Sequence, residues 1–430
     1  MSQKFNLKKF SFLVYGLGST GKSVIKYFKD KNISNFYTWD DSNKLRKKYK
    51  NKNILNLNNI FEKVDYIILS PGISIKKNKY KDKLIKFKKK IISDIDLIYL
   101  DNKKFKSIVV TGTNGKSTTC KIITHLLKFN NFDVKIGGNI GTPVLKLKSK
   151  KNTYFVIEAS SFQLAHSQFI HPDYAILLNI SNDHLDWHGS VKNYTDSKFK
   201  IFNLQKKENF ALINTKLKSY FKKKKYSSRL VPINIKSYNK VKIKIKNSYL
   251  KSSINNENMN FAYTLSKLLK VSDRRFINSM NNFTGLAHRY EIFLRKKNIT
   301  FINDSKATSF EASKNALASN KNIYWILGGK QKDKDKLNLK NLKKNITKSY
   351  IIGKNSNFFE KQIKNKVNFC VTKHLKNAII RALKDIKLSK SNKSILLLSP
   401  SAASYDQFKN FEIRGNEFKK LCKEHVKKYI

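Results

Sequence analysis

The sequence predicts an α/β protein of three domains, each built on a largely parallel sheet. Three observations carry that expectation. Short β-rich apolar runs alternate with longer amphipathic stretches along the whole chain. Several of these runs are continuously apolar, as strands covered on both faces are. Finally, strand-then-loop units open near residues 12, 107 and 299, which sets domains at 1–102, 103–286 and 287–430.

Taken in order, the strands are expected at 12–15, 66–69, 107–110, 154–157, 174–178, 299–302, 323–327, 349–352 and 394–398. Helices are expected at 116–128 and 256–270, where the apolar period lengthens. Residues 216–253 are lysine-rich and irregular, and read as variable strands and loops without chemistry.

With 430 residues and 40% hydrophobic content, the chain can bury real cores. Its formal net charge of +60 invites a nucleic-acid reading, namely a basic binding protein with a vestigial ATP site. The lysines, however, are dispersed among Asn, Ile, Phe and Tyr, residue types that share A/T-rich codons. No focused patch or recognition motif accompanies them, so solvated surface lysine is the better reading and no nucleic-acid partner is expected. Cys120, Cys370 and Cys422 are far apart and form no metal or redox spacing. The apolar run 12–15 stops at Gly16, too short for a signal peptide. No stretch approaches the roughly 20 apolar residues of a membrane span. The expectation is a cytoplasmic monomer.

The most informative segment is Thr111-Gly112-Thr113-Asn114-Gly115-Lys116-Ser117-Thr118, set between an apolar strand and a helix. Glycines there let backbone N–H groups turn onto phosphate oxygens. Lys116 supplies a compact positive charge and Ser117 a hydroxyl for Mg²⁺. The first glycine of the full P-loop pattern is replaced by Val110, so the motif is the shorter G-x-x-G-K-S. An ordinary glycine turn is the alternative; the flanking strand and helix and the Lys-Ser pair favour a nucleotide. Glu158 ends the next apolar strand, where hard oxygen ligands for a divalent ion belong. His184 follows the strand at 174–178 within Asn182-Asp183-His184, and by itself is as consistent with a structural residue as with a ligand. His188 reads as surface.

Gly16-x-Gly18-x-x-Gly21, with Asp40 and Asp41 about 20 residues on, meets the Rossmann dinucleotide fingerprint. A nucleotide-diphosphate sugar satisfies the same geometry as a nicotinamide dinucleotide, and nothing in the chain resembles a hydride-transfer site. Ser70-Pro71-Gly72 would face the same crevice. In the last third, Asn303–Thr308, Gly328-Gly329-Lys330-Gln331-Lys332 and Ser399–Ser404 follow three strands and could converge on one rim. Hydroxyls and ammonium groups there suit a carboxylate-bearing acceptor.

These motifs resemble the Mur ligases of peptidoglycan precursor synthesis, from Gly16 to Phe418. To the segments above the resemblance adds Gly137-Gly138-Asn139-Ile140-Gly141, Glu158-Ala159-Ser160-Ser161-Phe162-Gln163-Leu164, His288-Arg289 and Asp406-Gln407-Phe408-Lys409-Asn410-Phe411. It implies a Rossmann-like UDP-binding domain, a central P-loop ATPase-like domain and a Rossmann-like third domain. It also implies an ATP-dependent amide-bond ligase that works through an acyl phosphate.

The branch most resembled joins D-glutamate to UDP-N-acetylmuramoyl-L-alanine, with ATP and a pair of Mg²⁺ ions; another ligase of the superfamily is the alternative. Implied ATP contacts are Gly112, Thr113, Asn114, Gly115, Lys116, Ser117, Thr118, Asn139, Arg289 and Asp304, with Lys306 near the phosphates. Implied metal ligands are Ser117, Glu158, His184 and Lys198, the lysine as its CO₂-derived carbamate. Lys116, His184 and Lys198 form the implied catalytic set. Gly18, Ser19, Thr20, Asp40, Asp41, Ser70 and Gly72 correspond to the UDP-substrate contacts, and Thr308, Lys332, Ser404 and Phe411 to the D-glutamate pocket. One departure stands out. Where the family often has His-Asn-x-x-Asn, this chain reads Asn256-Glu257-Asn258-Met259-Asn260, so no adenine-side asparagine is assigned.

Overall fold

The computed structural model describes residues 6–47, 57–101, 105–148, 150, 152–233, 235–285, 287–331, 335–389 and 392–430. The chain forms two compact units, Met1–Phe283 and Thr284–Ile430. The first contains two sheets and the second contains one.

In the N-terminal sheet, β1 (Phe12–Tyr15), β2 (Phe36–Trp39), β3 (Tyr66–Leu69) and β4 (Ile91–Ile92) are parallel in the order β2-β1-β3-β4. The central sheet comprises β5 (Lys106–Thr111), β6 (Val134–Gly138), β7 (Tyr154–Glu158), β8 (Tyr174–Leu177), β9 (Phe210–Asn214) and β10 (Arg229–Ile233). Its order is β10-β9-β8-β5-β7-β6, again parallel. In the second unit, β11 (Glu291–Lys296), β12 (Ile299–Asn303), β13 (Ile323–Gly328), β14 (Ile346–Ile352), β15 (Phe369–Lys373) and β16 (Ser394–Leu398) run in the order β11-β12-β16-β13-β14-β15. Only the β11–β12 pair is antiparallel among the described strands.

All nine expected strands are present. The continuous apolar runs are central strands: β13 is buried along its whole length and β1 likewise. Expected helices appear as Lys116–Phe129 and Asn256–Leu268. Residues 216–253 depart from expectation. They hold β10 and three short helices, Lys218–Lys223, Ile235–Lys242 and Ser248–Lys251, rather than irregular strands and loops. High lysine content there conceals a partly buried edge strand.

One apolar cluster explains why the first two sheets share a unit. It runs from Val14, Val24 and Phe28 through Ile95 and Ile98 to Val144, Phe155 and Leu177. Each such side chain contributes roughly 1.5–3 kcal/mol on burial. Polar contacts reinforce the junction. The buried Asp96 carboxylate accepts from the backbone N–H groups of Ser93, Gln168 and Phe169 at 2.8–3.2 Å. Asp94 accepts from Gln163 at 3.1 Å. The expected boundary near 103 falls at residues 102–104, outside the described residues. Among the described residues no helix is long and apolar enough to cross a membrane.

In the N-terminal and central sheets the strand order reverses beside the first strand, β1 or β5, and in the third sheet β16 returns between β12 and β13. Loops at the carboxyl ends of those strands therefore open into switch-point crevices, where open α/β sheets bind ligands.

Candidate active site

At the end of β5 the chain passes through Gly112 and Gly115 into the helix Lys116–Phe129. Gly115 caps that helix with φ +84°, and a Cβ there would lie 2.3 Å from Asn258 Oδ1. Both facts require glycine, so the loop conformation is written into the sequence. No side chain caps the helix, which leaves its first N–H groups directed at the loop. The loop is also held from β8: Asn114 N–H donates to Asn179 Oδ1 at 2.9 Å, and Thr113 N–H to Asn179 O at 2.9 Å. Asn179 in turn donates to Glu257, which also accepts from Asn214. Thr119 donates to Asn258 Oδ1 at 3.1 Å. Asn258 and Glu257, from the segment that departs from the family pattern, thus lie directly behind the loop.

Two lysines meet at one carbonyl. Lys116 Nζ donates to Gly112 O at 2.8 Å and to Thr113 O at 2.8 Å. Lys198 Nζ donates to the same Gly112 O at 2.8 Å. Lys198 is 1% exposed, and its ammonium lies 4.6 Å from the centre of the Tyr194 ring. Burial, and then the nearby charge of Lys116, lower its pKa to about 6, against a partial opposing pull from Asp183. Tyr194 OH is 2.9 Å from Thr113 Oγ1, tying the lysine's helix, Val191–Phe199, to the phosphate loop. Residue chemistry alone does not separate Lys198 from the other lysines, and only the family resemblance points to it; its burial against the Tyr194 ring is what distinguishes it.

His184 precedes the short helix Leu185–His188 in a left-handed conformation, φ +53°. Its ring packs on Phe162, with centroids 4.7 Å apart, and its Nε2 lies 3.4 Å from Asp183 Oδ2. His188 corrects the surface reading. It is buried, with Nε2 3.0 Å from Ser161 Oγ, and burial lowers its pKa to about 4. Trp187, Phe162 and Tyr194 surround it, which a one-dimensional reading of a lone histidine does not reveal.

Glu158 ends β7 beside β5. It is 2% exposed; Oε1 accepts from Asn139 Nδ2 at 3.0 Å, while Oε2 is buried without a hydrogen-bond partner, as is Thr111 Oγ1. Among the described residues no three His, Cys, Asp or Glu side chains gather into a metal site. Mg²⁺ needs none: it keeps water and takes one or two protein oxygens besides substrate phosphates. An orphaned carboxylate oxygen near the hydroxyl-bearing helix start at Ser117 fits that chemistry.

In the N-terminal sheet, Gly16–Gly18 leads β1 into the helix Ser19–Asp30. A Cβ on Gly21 would lie 1.9 Å from Gly16 O, so only glycine permits this approach of helix to loop. Gly18 and Ser19 are exposed and Thr20 half-buried at the helix start, which has no side-chain cap. Asp40 accepts from Leu17 N–H at 2.7 Å and Ser42 N–H at 2.8 Å. Asp41 accepts from Tyr15 OH at 2.9 Å and Asn78 Nδ2 at 3.2 Å. Ser70, following β3, donates to Gly16 O at 3.0 Å, and Gly72 is exposed beyond it. The expected turn and fingerprint are therefore adjacent, and both acids also brace the loops.

In the second unit the three expected loops do converge, because β12, β16 and β13 are neighbours. Asp304 accepts from Ser399 Oγ at 2.8 Å and Tyr290 N–H at 3.0 Å. Desolvation raises its pKa to about 7, with Arg289 opposing the rise. Lys306 Nζ sits 3.8 Å from the centre of the Phe411 ring. Thr308 is half-buried, and Ser404 is buried at 3% exposure. Arg414, absent from the expected set, binds both Ser305 O (2.7 Å) and Ala402 O (3.0 Å) from full burial, joining two of the loops. Lys332 lies outside the described residues.

Known proteins resemble this chain in sequence and in fold. Residues 110–272 match the family model of the Mur ligase middle domain. A UDP-N-acetylmuramoylalanine--D-glutamate ligase from Rickettsia felis is 35% identical, covering 96% of each chain. The protein of that name from Oenococcus oeni is 34% identical over 98% of each. Among solved structures, the MurF ligase of Thermotoga maritima in complex with ADP superposes with a TM-score of 0.58 at 16% identity, covering 99% of this chain and 98% of its own. MurC of Thermotoga maritima gives 0.54 at 16% identity, covering 96% and 99%. The structural likenesses establish the fold and the sequence relatives the lineage: this chain belongs to the Mur ligases, in the branch of the UDP-N-acetylmuramoylalanine--D-glutamate ligases.

Proposed function

We propose that the chain uses ATP to join D-glutamate to UDP-N-acetylmuramoyl-L-alanine in peptidoglycan precursor synthesis. The relatives' names supply the substrates, and the observation that carries the chemistry is the pair of lysine amines on Gly112 O, together with an orphaned oxygen of Glu158 at the end of the adjacent strand β7. In this reading an oxygen of the L-alanyl carboxylate attacks the γ-phosphorus, ADP leaves, and an acyl phosphate forms. The D-glutamate amine then attacks the carbonyl carbon, loses a proton, and expels phosphate with that same carboxylate oxygen.

Each step brings anions together, so neutralising charge is the main task. Lys116 lies where a β,γ-phosphate would displace its two carbonyl contacts, and the uncapped helix start offers N–H groups to the same oxygens. Ser117 and Glu158 would hold Mg²⁺ on the nucleotide side, with His184 and carbamylated Lys198 holding a second ion. Bound Mg²⁺ would supply electrostatic stabilisation of the transferring phosphoryl group.

A lysine whose pKa is near 6 is a neutral amine at neutral pH, the form that adds CO₂. The nitrogen lone pair forms the N–C bond, a C=O π pair moves to oxygen, and the amine proton leaves to solvent. The product is an anionic oxygen donor, which the ammonium is not. The first domain, residues 1–102, would carry the UDP moiety on the Gly16–Thr20 loop with Asp40, Asp41, Ser70 and Gly72. Residues 103–286 would form the ATP domain and 287–430 the acceptor domain, with Arg289 and Asp304 toward ATP. Thr308, Lys332, Ser404 and Phe411 would face D-glutamate. Phosphate release measured with each substrate omitted in turn tests the reading. Release is expected only with ATP, UDP-muramoyl-L-alanine and D-glutamate together; equal turnover with L-lysine or diaminopimelate would rule out this acceptor.

A further inference from the structure

His188 is a buried side chain to which the proposed chemistry gives no task. It is 4% exposed and ends the short helix Leu185–His188, which begins directly after His184. Gly189, with φ +78°, then turns the chain toward the helix Val191–Phe199, which carries Lys198. His188 thus stands at the joint between the segments that hold the two proposed ligands of the second ion.

Its imidazole packs on two aromatic rings. Phe162 is stacked on it, with planes 9° apart and centroids 5.6 Å apart, and Tyr194 meets it edge-on at 5.2 Å. Each of those rings touches one of the two ligands. Phe162 packs on the His184 ring at 4.7 Å, and the Lys198 ammonium lies 4.6 Å from the centre of the Tyr194 ring. Close-packed aromatic side chains have preferred geometries, so a shift of the shared ring is passed to both neighbours.

One polar contact fixes how the imidazole is turned. His188 Nε2 and Ser161 Oγ share a hydrogen bond at 3.0 Å. The His188 backbone is held as well, its carbonyl accepting from Asn193 Nδ2 at 3.0 Å. Ser161 opens the helix that follows β7 and Glu158, so the bond crosses from the segment after β8 to the segment after β7. Tyr194, through Thr113 Oγ1 at 2.9 Å, extends the same layer to the phosphate loop after β5. Packing alone would be met by phenylalanine; only a ring with a nitrogen at that corner can also hold Ser161.

We propose that His188 is a positioning residue for the ligase reaction: its imidazole, anchored on Ser161, holds the Phe162 and Tyr194 rings in the arrangement that fixes where His184 and Lys198 stand. It touches no reacting atom and acts through those two rings. The inference rests on the roles proposed for His184 and Lys198.

The test pairs His188→Phe, which keeps a ring and removes the hydrogen bond, with Ser161→Ala, which removes the same bond from its other end. In each variant kcat should fall about tenfold, roughly 1.4 kcal/mol at the barrier, while KM for ATP and for D-glutamate changes little. The double variant should be no worse than either single one, because only one bond is lost. In metal-free protein at pH 8 under ¹³CO₂, the Lys198 carbamate resonance should weaken about threefold in both variants, a change that lost stability alone would not produce. Thermal melts establish that the variants are folded. Folded variants with the parent's kcat would overturn the proposal, as would effects that multiply in the double variant or a carbamate resonance equal to the parent's. If the parent turns over without any carbamate resonance, the role proposed for Lys198 fails instead, and kcat in the two variants decides the role of His188 by itself.

Discussion

The carboxyl ends of the central sheet and of the third sheet are built on the same switch-point plan, yet they use their polar groups differently. At the central sheet, valences are held open. Glu158 Oε2 and Thr111 Oγ1 are buried without partners, and two amines share one carbonyl. At the third sheet more of the valences are used: Asp304 is held by Ser399 and Tyr290, and Arg414 binds the Ser305 and Ala402 carbonyls, although its Nη1 is buried without a partner. On the proposed function, that is the difference between a reaction centre and a recognition rim. Phosphoryl transfer needs groups that exchange partners, whereas holding ATP and a small amino acid in place needs loops that do not move.

Removing a group from each end should therefore give different phenotypes. The largest effect is expected from Lys116→Ala, which should lower kcat by roughly three orders of magnitude, as loss of a phosphoryl-stabilising charge does. Its melting temperature should stay within a few degrees of the parent. A stable variant retaining full turnover would remove the phosphate loop from the mechanism.

Next in size is Lys198→Ala, with a loss of about a hundredfold that short carboxylates partly restore. The same residue gives the pH dependence. Its pKa is depressed to about 6, so the amine is neutral above pH 6 and protonated below it. In metal-free protein under ¹³CO₂, a carbamate resonance should be present at pH 8, decline as pH falls through 6, and be missing from the variant. A signal unchanged down to pH 5 would contradict the assignment.

On the recognition side, Asp304→Asn should chiefly raise the KM for ATP, by about tenfold, with a smaller change in kcat. Ser399→Ala, which removes one hydrogen bond to Asp304, should do least. A cost of about 1 kcal/mol, or a fall of roughly 2–4 °C in Tm, is expected in a unit of this size. If Ser399→Ala abolished turnover while leaving Tm unchanged, the third sheet would belong to the reaction centre and the contrast would fail.

Legibility in the sequence follows the same division. Central strands such as β1, β3, β13 and β16 were readable because burial on both faces makes them continuously apolar. Missed strands include β6, whose Val134-Lys135-Ile136-Gly137-Gly138 has few apolar positions, and β11 and β15, which lie at sheet edges and stay half-exposed. The phosphate loop was readable because Gly115 is required by both φ and contact. Lys198 was not, since a lysine's burial is decided by which helix faces which loop, and in this composition lysine carries almost no information of its own. Asn258 and His188 were missed for a related reason: their partners, Thr119 and Ser161, are distant in sequence.

The most direct test of the ligase reading follows one oxygen atom. UDP-muramoyl-L-alanine labelled with ¹⁸O in the alanyl carboxylate is turned over with ATP and D-glutamate, and the released phosphate is analysed by mass. Attack of the carboxylate on the γ-phosphorus, followed by expulsion of phosphate by the amine, predicts one ¹⁸O in each phosphate. Unlabelled phosphate formed alongside the amide product would show that no acyl phosphate lies on the path, and would contradict the proposed mechanism.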